Sequence, residues 1–385
     1  MSGSAVRLMI VAGEASGDAH GAALAAALRQ QAPGVAFDFF GGTGRKMRAA
    51  GVRTVVGTDD LSITGLLEIG VALPKFWRAY RALVRAASEH RPDAVILIDW
   101  PDFNLHLARR LRARGLKVIY YISPQLWAWR RYRVRAMRRD VSLLLSILPF
   151  EPQWYGAHNF ERVEYIGHPL VGSVVPQTTR EQFHVKHDLD AGRPLIALLP
   201  GSRRKEIQHN LPLMLETAAL LHRSRPQVQF VLALAPNREI KETTRIIEQF
   251  GVQQIKVVHG ETREALAAAD AAAIASGTAT LEAALIGTPL VIVYKESALN
   301  WHTLGRLIST EHFGLINLIA GERIATELMQ NDFTAEKLAG ELTALLDPAR
   351  NRAMRAMLRT ATDKLGAAGA SARAAATIMR ALEHD

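Results

Sequence analysis

Arg7-Leu8-Met9-Ile10-Val11-Ala12, then Gly13-Glu14-Ala15-Ser16-Gly17-Asp18-Ala19-His20, then the Ala- and Leu-rich run from Gly21 to Gln31, decide how the chain is read. A short apolar run, a turn of small and polar residues and a longer segment of helical spacing make one βα unit. The alternation recurs, with strands predicted at 36–40, 94–98, 117–122, 143–148 and 164–166. Helices are predicted at 75–90 and 105–114, the second closed by Gly115. After Gly167-His168-Pro169 the pattern lapses into a polar stretch with Pro176, Thr178 and Thr179, then resumes with strands at 195–199, 229–235, 255–258, 272–275 and 290–294. Serial βα units imply an α/β protein of two Rossmann-like, doubly wound domains. The expected boundaries are 1–170 and 194–345, with 171–193 as linker and 346–385 as terminal helices broken at Pro348. Sheets of this kind bind ligands at the carboxyl ends of their strands, so a site is expected in a cleft between the domains.

Two domains also suit 385 residues, at about 150 residues each. With 49% hydrophobic and 22% charged residues, most of the chain is excluded from the disordered class. The absence of cysteine excludes disulfides, thiolate nucleophiles, Cys-based zinc sites and iron–sulfur clusters, and suits a reducing compartment. The amino terminus has too short an apolar run for a signal peptide, and no window approaches the roughly 20 apolar residues of a spanning helix. A cytoplasmic location is therefore expected. The net charge of +10 favours anionic partners. It is unevenly spread: between Asp102 and Asp140 there are eleven Lys and Arg and no acid, with aromatics interleaved at Trp127, Trp129 and Tyr132.

The chemistry is expected in the loops at strand ends. In the first loop, Glu14 and Asp18 occupy the positive end of a helix, where a pyrophosphate would meet like charge, so the loop suits hydroxyls or proton acceptance. Helix capping by Ser16 or Asp18 is the plain alternative. The glycines of Gly41-Gly42-Thr43-Gly44 read as turn residues. Asp99 ends a strand and precedes Trp100-Pro101, a pair that favours an extended Trp100 and turns Asp99 toward the site as a general base. Asp102 or Asn104 then caps the following helix. Farther on, Pro200-Gly201-Ser202-Arg203-Arg204-Lys205-Glu206 offers a tight turn and cations suited to a diphosphate. Ser276-Gly277-Thr278-Ala279-Thr280-Leu281-Glu282 offers hydroxyls and free amides at a helix start, with Glu282 placed to accept from a ribose diol. No phosphate loop, zinc-protease or nucleophile-elbow motif is present, and Asp188, Asp190, His184 and His187 read as surface residues, so no metal is expected.

At these loops the sequence resembles the lipid-A-disaccharide synthases, glycosyltransferases of the two-Rossmann-domain (GT-B) type. The matching stretches are Gly13 to Asp18, Ile98 to Asn104, Tyr120 to Pro124, Trp127-Ala128-Trp129, Leu148 to Glu151, Gly167 to Leu170, Leu199 to Arg203 and Ser276 to Glu282, in order along most of the chain. The resemblance implies transfer of 2,3-diacylglucosamine from UDP-2,3-diacylglucosamine to the 6-hydroxyl of 2,3-diacylglucosamine 1-phosphate, with inversion and without cofactor or metal. Among the carboxylates Asp99, Glu14 and Asp18, Asp99 is the chosen base, with Glu14, Ser16 and His20 orienting the sugars beside Gly17 and Asp18. Arg203, Glu206, Ser276, Gly277, Thr278 and Thr280 would serve the UDP moiety, Glu282 the ribose, and Asn317 the lining of the donor pocket. Trp100 departs from the pattern, standing where a small residue is expected. By analogy the terminal helices cross back to the first domain.

Acylated substrates imply work at a membrane surface. Leu66, Ile69, Leu73, Phe76 and Trp77 recur at three- and four-residue spacing beside cations, as in an interfacial helix that Pro74 would interrupt. The basic region 109–139 would meet anionic lipid heads. The expectation is peripheral contact with the inner membrane of a Gram-negative bacterium. A homodimer is allowed but not specified by the sequence. Two other readings stay open: a related sugar-nucleotide enzyme, such as a muramyl-precursor transferase or UDP-sugar epimerase, and, more remotely, a basic nucleic-acid-binding protein, although no nucleic-acid partner is expected.

Overall fold

The computed structural model describes residues 5–59, 69–235, 240–250, 255–296 and 310–383. The chain forms two compact units, one of residues 1–169 with 367–385 and one of residues 170–366. In the first, β1 (Val6–Ala12), β2 (Phe37–Thr43), β3 (Arg53–Gly57), β4 (Ala94–Ile98), β5 (Val118–Tyr121), β6 (Leu143–Ser146) and β7 (Val163–Tyr165) form a parallel sheet ordered β3-β2-β1-β4-β5-β6-β7. The second contains β8 (Leu195–Leu199), β9 (Gln229–Leu234), β10 (Ile255–His259), β11 (Ala271–Ala275), β12 (Leu290–Tyr294) and β13 (Glu327–Met329), ordered β10-β9-β8-β11-β12-β13 and again parallel.

Helices on both faces explain why the central strands read as unbroken apolar runs and not as alternating ones. Every residue of β4, β8 and β11 is buried. In each sheet the order reverses beside the first strand of the unit, between β1 and β4 and between β8 and β11. Such switch points open a crevice at the carboxyl ends of the strands. All four motif-bearing loops leave from these strands, so the fold concentrates the chemistry that the sequence disperses.

Several expectations are corrected. The polar segment 171–193 is not a bare connector. It contains the helix Arg180–Lys186, started by a reciprocal cap between Thr179 and Gln182. Arg180 makes two 3.0 Å bonds to Asp270, and Lys186 and His187 both reach Glu261, so the segment is polar because ion pairs hold it on the second unit. Of the terminal helices, Pro348–Asp363 lies in the second unit and Ala370–Glu383 in the first. There Ala370, Ala374, Ala375 and Ile378 share a core with Leu24, Ala25 and Leu28 of the helix Ala15–Gln31. Arg373 donates to the Ile166 carbonyl and Arg380 to Glu164. The helix Ile69–His90 runs through Pro74, which has little more than one turn ahead of it to disturb. Two edge strands, β3 and β13, went unrecognised, one largely exposed and the other three residues long.

Candidate functional site

In the first unit Ala12 pairs with Ile98, so Gly13 and Asp99 are the next residues out of adjacent strands. Asp99 (φ 47°) and Trp100 (φ 52°) are both left-handed, a conformation costly for residues bearing a Cβ. The expected extended Trp100 is thereby overturned. Side chains from elsewhere hold the turn. Tyr120 Oη donates to the Asp99 carbonyl at 2.6 Å, and Asn104 Nδ2 donates to the same oxygen at 2.8 Å and to Ile98 at 3.2 Å. The Trp100 ring lies over Gly13, where a β-carbon would come within 2.0 Å of Cδ2, and stacks on Phe103 at 4.2 Å. This fit demands glycine at position 13. Trp100 itself is the N-cap of the helix Pro101–Arg112, and no side chain caps it. The expected caps are otherwise occupied: Asn104 braces the turn, and Asp102 accepts from Arg130 and Arg133.

With its backbone fixed, Asp99 presents a half-buried carboxyl whose pKa is pushed up to about 6 by burial and then by Glu14, against a lowering hydrogen bond from the Trp100 amide. Such a carboxylate has an affinity for protons suited to a general base near neutral pH. Glu14 and Ser16 are exposed at the start of the helix Ala15–Gln31, and Glu14 makes no capping bond. Burial and then the Lys46 charge lower the His20 pKa, and burial together with His20 lowers that of His168 to about 4. Both imidazoles are therefore neutral at physiological pH.

Asp18 and Gly17 are structural here, which corrects their assignment to substrate. Asp18 is buried, accepting from the amides of Gly44 and Met47 on one oxygen and Lys46 on the other, and so caps the neighbouring helix Arg45–Ala49. Gly17 lets the first helix approach the sheet: an added Cβ would lie 3.2 Å from that of Ala12. The glycines 41 and 42 fall within β2 itself, not in a loop.

In the second unit the loops after β8 and β11 line one cavity of about 610 Å³. It gathers Gly201, Ser202, Arg203 and Glu206 from the first loop with Ser276, Gly277, Thr278 and Glu282 from the second. Gly201 adopts φ 124°, open to glycine at no steric cost. Glu206 accepts from the Ser202 and Arg203 amides at 2.9 and 3.1 Å, which orders the turn, and its other oxygen pairs with the exposed Arg203 guanidinium at 3.5 Å. Ser276 donates to the Phe313 carbonyl and the buried Thr280 hydroxyl to the Gly277 carbonyl, so both shape the loop, while Gly277 and Thr278 are exposed to the cavity. Arg263 directs two 3.1 Å hydrogen bonds onto Oε1 of Glu282, and Oε2 takes none among the described residues. Asn317 is corrected. Fully buried, it donates to Ala325 and Glu327 and accepts from the Ile324 and Ala325 amides, which exhausts its capacity for a ligand.

The structure adds residues that sequence reasoning missed: Tyr120, which steadies Asp99; Arg263, which orients Glu282; and buried Glu151, which accepts from Trp127 and the Leu148 amide. Tyr120 carried a usable signal, since a phenol on a buried strand must find a hydrogen-bond partner. Leu73 and Trp77 are exposed as expected, but Phe76 turns inward, 5.8 Å from Trp100 and 6.2 Å from Phe103, because it lies off the face that residues four apart share. Leu66 lies outside the described residues, and of Ile69 only the backbone is described.

Two such sheets, each with its loops gathered at the switch point, place the protein in the GT-B class. A UDP-GlcNAc 2-epimerase from Neisseria meningitidis, solved with UDP-GlcNAc, superposes with a TM-score of 0.60 at 10% identity, covering 98% of this chain and 100% of that one. A UDP-glucosyltransferase from Polygonum tinctorium gives 0.62 at 12% identity over 100% of both. Sequence narrows the class: the chain belongs to the lipid-A-disaccharide synthetase (LpxB) family, whose model matches residues 8–380. The lipid-A-disaccharide synthase of Solibacter usitatus is 42% identical over 379 residues, 98% of each chain. The protein is thus a glycosyltransferase, a result that favours the main reading over the epimerase and nucleic-acid alternatives.

Proposed function

We propose that the enzyme joins UDP-2,3-diacylglucosamine to 2,3-diacylglucosamine 1-phosphate, releasing UDP and inverting the anomeric centre. Asp99 takes the proton of the acceptor's 6-hydroxyl as that oxygen bonds to the donor's anomeric carbon, and the bond to the UDP oxygen breaks. Arg203 and the helix start at Thr278 receive the charge on the departing diphosphate, since fixed cations and dipoles stabilise developing charge without reorganising. Glu282, braced by Arg263, offers its open oxygen to the ribose. Glu14, Ser16 and neutral His20 flank the acceptor. The observation that carries this reading is the Asp99 carboxyl, its pKa raised to about 6, on a left-handed turn at a switch point whose backbone carbonyl takes two side-chain hydrogen bonds. The exposed Leu73 and Trp77 support peripheral contact with lipid.

Purified protein given both sugars should release UDP only when both are present. UDP release from the nucleotide sugar alone, or interconversion of that sugar, would contradict the proposal.

A further inference from the structure

Transfer as proposed assigns the acceptor's hydroxyl to Asp99 but leaves the acceptor's own phosphate without a partner. The loop after β5 supplies one. From it Arg130 and Arg133 converge on a single oxygen, Oδ1 of Asp102, Arg130 at 2.8 Å. Asp102 lies in the first turn of the helix Pro101–Arg112, three residues beyond Asp99. Its side chain is 64% exposed, against 31% for Arg130 and 15% for Arg133. One carboxylate therefore gathers two guanidinia at an open edge and neutralises only one of their charges. Among the described residues no other acid pairs with either arginine. The remaining donors of two planar forks suit a phosphate monoester.

The cluster is also held in place. Arg130 is left-handed at φ 56°, with its guanidinium 4.2 Å from the Trp129 ring centre. Of the eight left-handed non-glycine residues among those described, four (Asp99, Trp100, Ile122 and Arg130) lie on the loops after β4 and β5, and backbone strain of this kind concentrates at binding and catalytic sites. The loop is anchored from behind by Trp127, whose Nε1 donates to buried Glu151 at 3.2 Å. The Tyr120 phenol bonded to the Asp99 carbonyl has its pKa raised by burial and then by Asp99, lowered by Arg133, and raised again by Asp102. Asp99, Arg133 and Asp102 are thus electrostatic neighbours of one phenol on β5.

We propose that Arg130 and Arg133 bind the phosphate of the acceptor, displacing Asp102, and so select a sugar 1-phosphate over the same sugar with a free anomeric hydroxyl. This rests on the transferase reading above. The test compares kcat/KM for 2,3-diacylglucosamine 1-phosphate and for 2,3-diacylglucosamine at saturating UDP-2,3-diacylglucosamine. The wild type should prefer the phosphate roughly 10- to 100-fold, the range for hydrogen bonds to a charged group. Arg130→Ala with Arg133→Ala should erase that preference, chiefly through the acceptor KM. Arg130→Gln alone, at the more exposed position, should reduce it part-way even if the double variant unfolds. A preference that survives these substitutions, or equal losses with both acceptors, overturns the proposal, as does a wild type indifferent to the phosphate. A wild type that turns over neither acceptor refutes instead the transferase reading.

Discussion

Asp99 has its character from neighbours distant in sequence. The carboxyl is half-buried and feels the Glu14 charge, and the backbone that carries it is fixed, because Tyr120 and Asn104 fasten its carbonyl. A base raised to about 6 is protonated below that pH, so kcat/KM should climb as pH rises through about 6 and then level off. Asp99→Asn should cost about 10²- to 10⁴-fold in turnover, abolish this limb and leave UDP affinity unchanged, because the cavity proposed for the nucleotide belongs to the other unit. A limb that persists in the variant would assign it to another group. The sequence shows Asp99 as a carboxylate ending an apolar strand, but not its turn. The pre-proline rule favours extended backbone at Trp100, and what overrides it is tertiary: an indole laid on Gly13 and two hydrogen bonds from other elements. Asp18 and Asn317 were misread for the same reason. Their type and position suggest ligands, yet Asp18 is taken up by backbone amides as far as 29 residues away, and Asn317 by backbone groups and the Glu327 carboxylate, as far as 10.

Element bounds were most legible where both faces are buried, and the elements that were missed lie at the rims or in polar segments. Strands β4, β8 and β12 match their sequence-predicted bounds, because a two-sided core imposes an apolar run with no alternation to misjudge. At the rims, β3 and β13 carry no such run. The helix Arg180–Lys186 is fixed by ion pairs, which composition records only as polarity. The helix Ala370–Glu383 makes a sharper test of packing. Ile378 is fully buried against the first helix, so Ile378→Ala should destabilise the first unit by about 2–5 kcal/mol, read as a lower denaturation midpoint. UDP binding by the second unit should persist. An unchanged midpoint would mean that this helix contributes little to the core.

At the scale of the whole molecule, no helix among the described residues is long and apolar enough to cross a membrane, and the proposed lipid contact is tested at the surface. Leu73 and Trp77 lie one helical turn apart, both exposed, with Arg81 beside the Trp77 ring at 5.5 Å. Leu73→Ser with Trp77→Ser should weaken partitioning onto anionic vesicles by about 10²-fold or more, since each buried apolar side chain contributes about 1.5–3 kcal/mol, while turnover of detergent-dispersed substrates is retained. Unaltered partitioning would shift the contact elsewhere. The order of the two units along the chain also bears on biosynthesis. Residues 170–366 form an uninterrupted stretch, whereas the unit begun first is closed by a helix from 370–383. On the ribosome, the unit of residues 170–366 can condense while the other still waits, its Leu24 and Leu28 uncovered, for the helix 370–383 to leave the exit tunnel. The unit that carries Asp99 is therefore the later of the two to mature, and the interval before its closing helix emerges is when a chaperone would have most to shield.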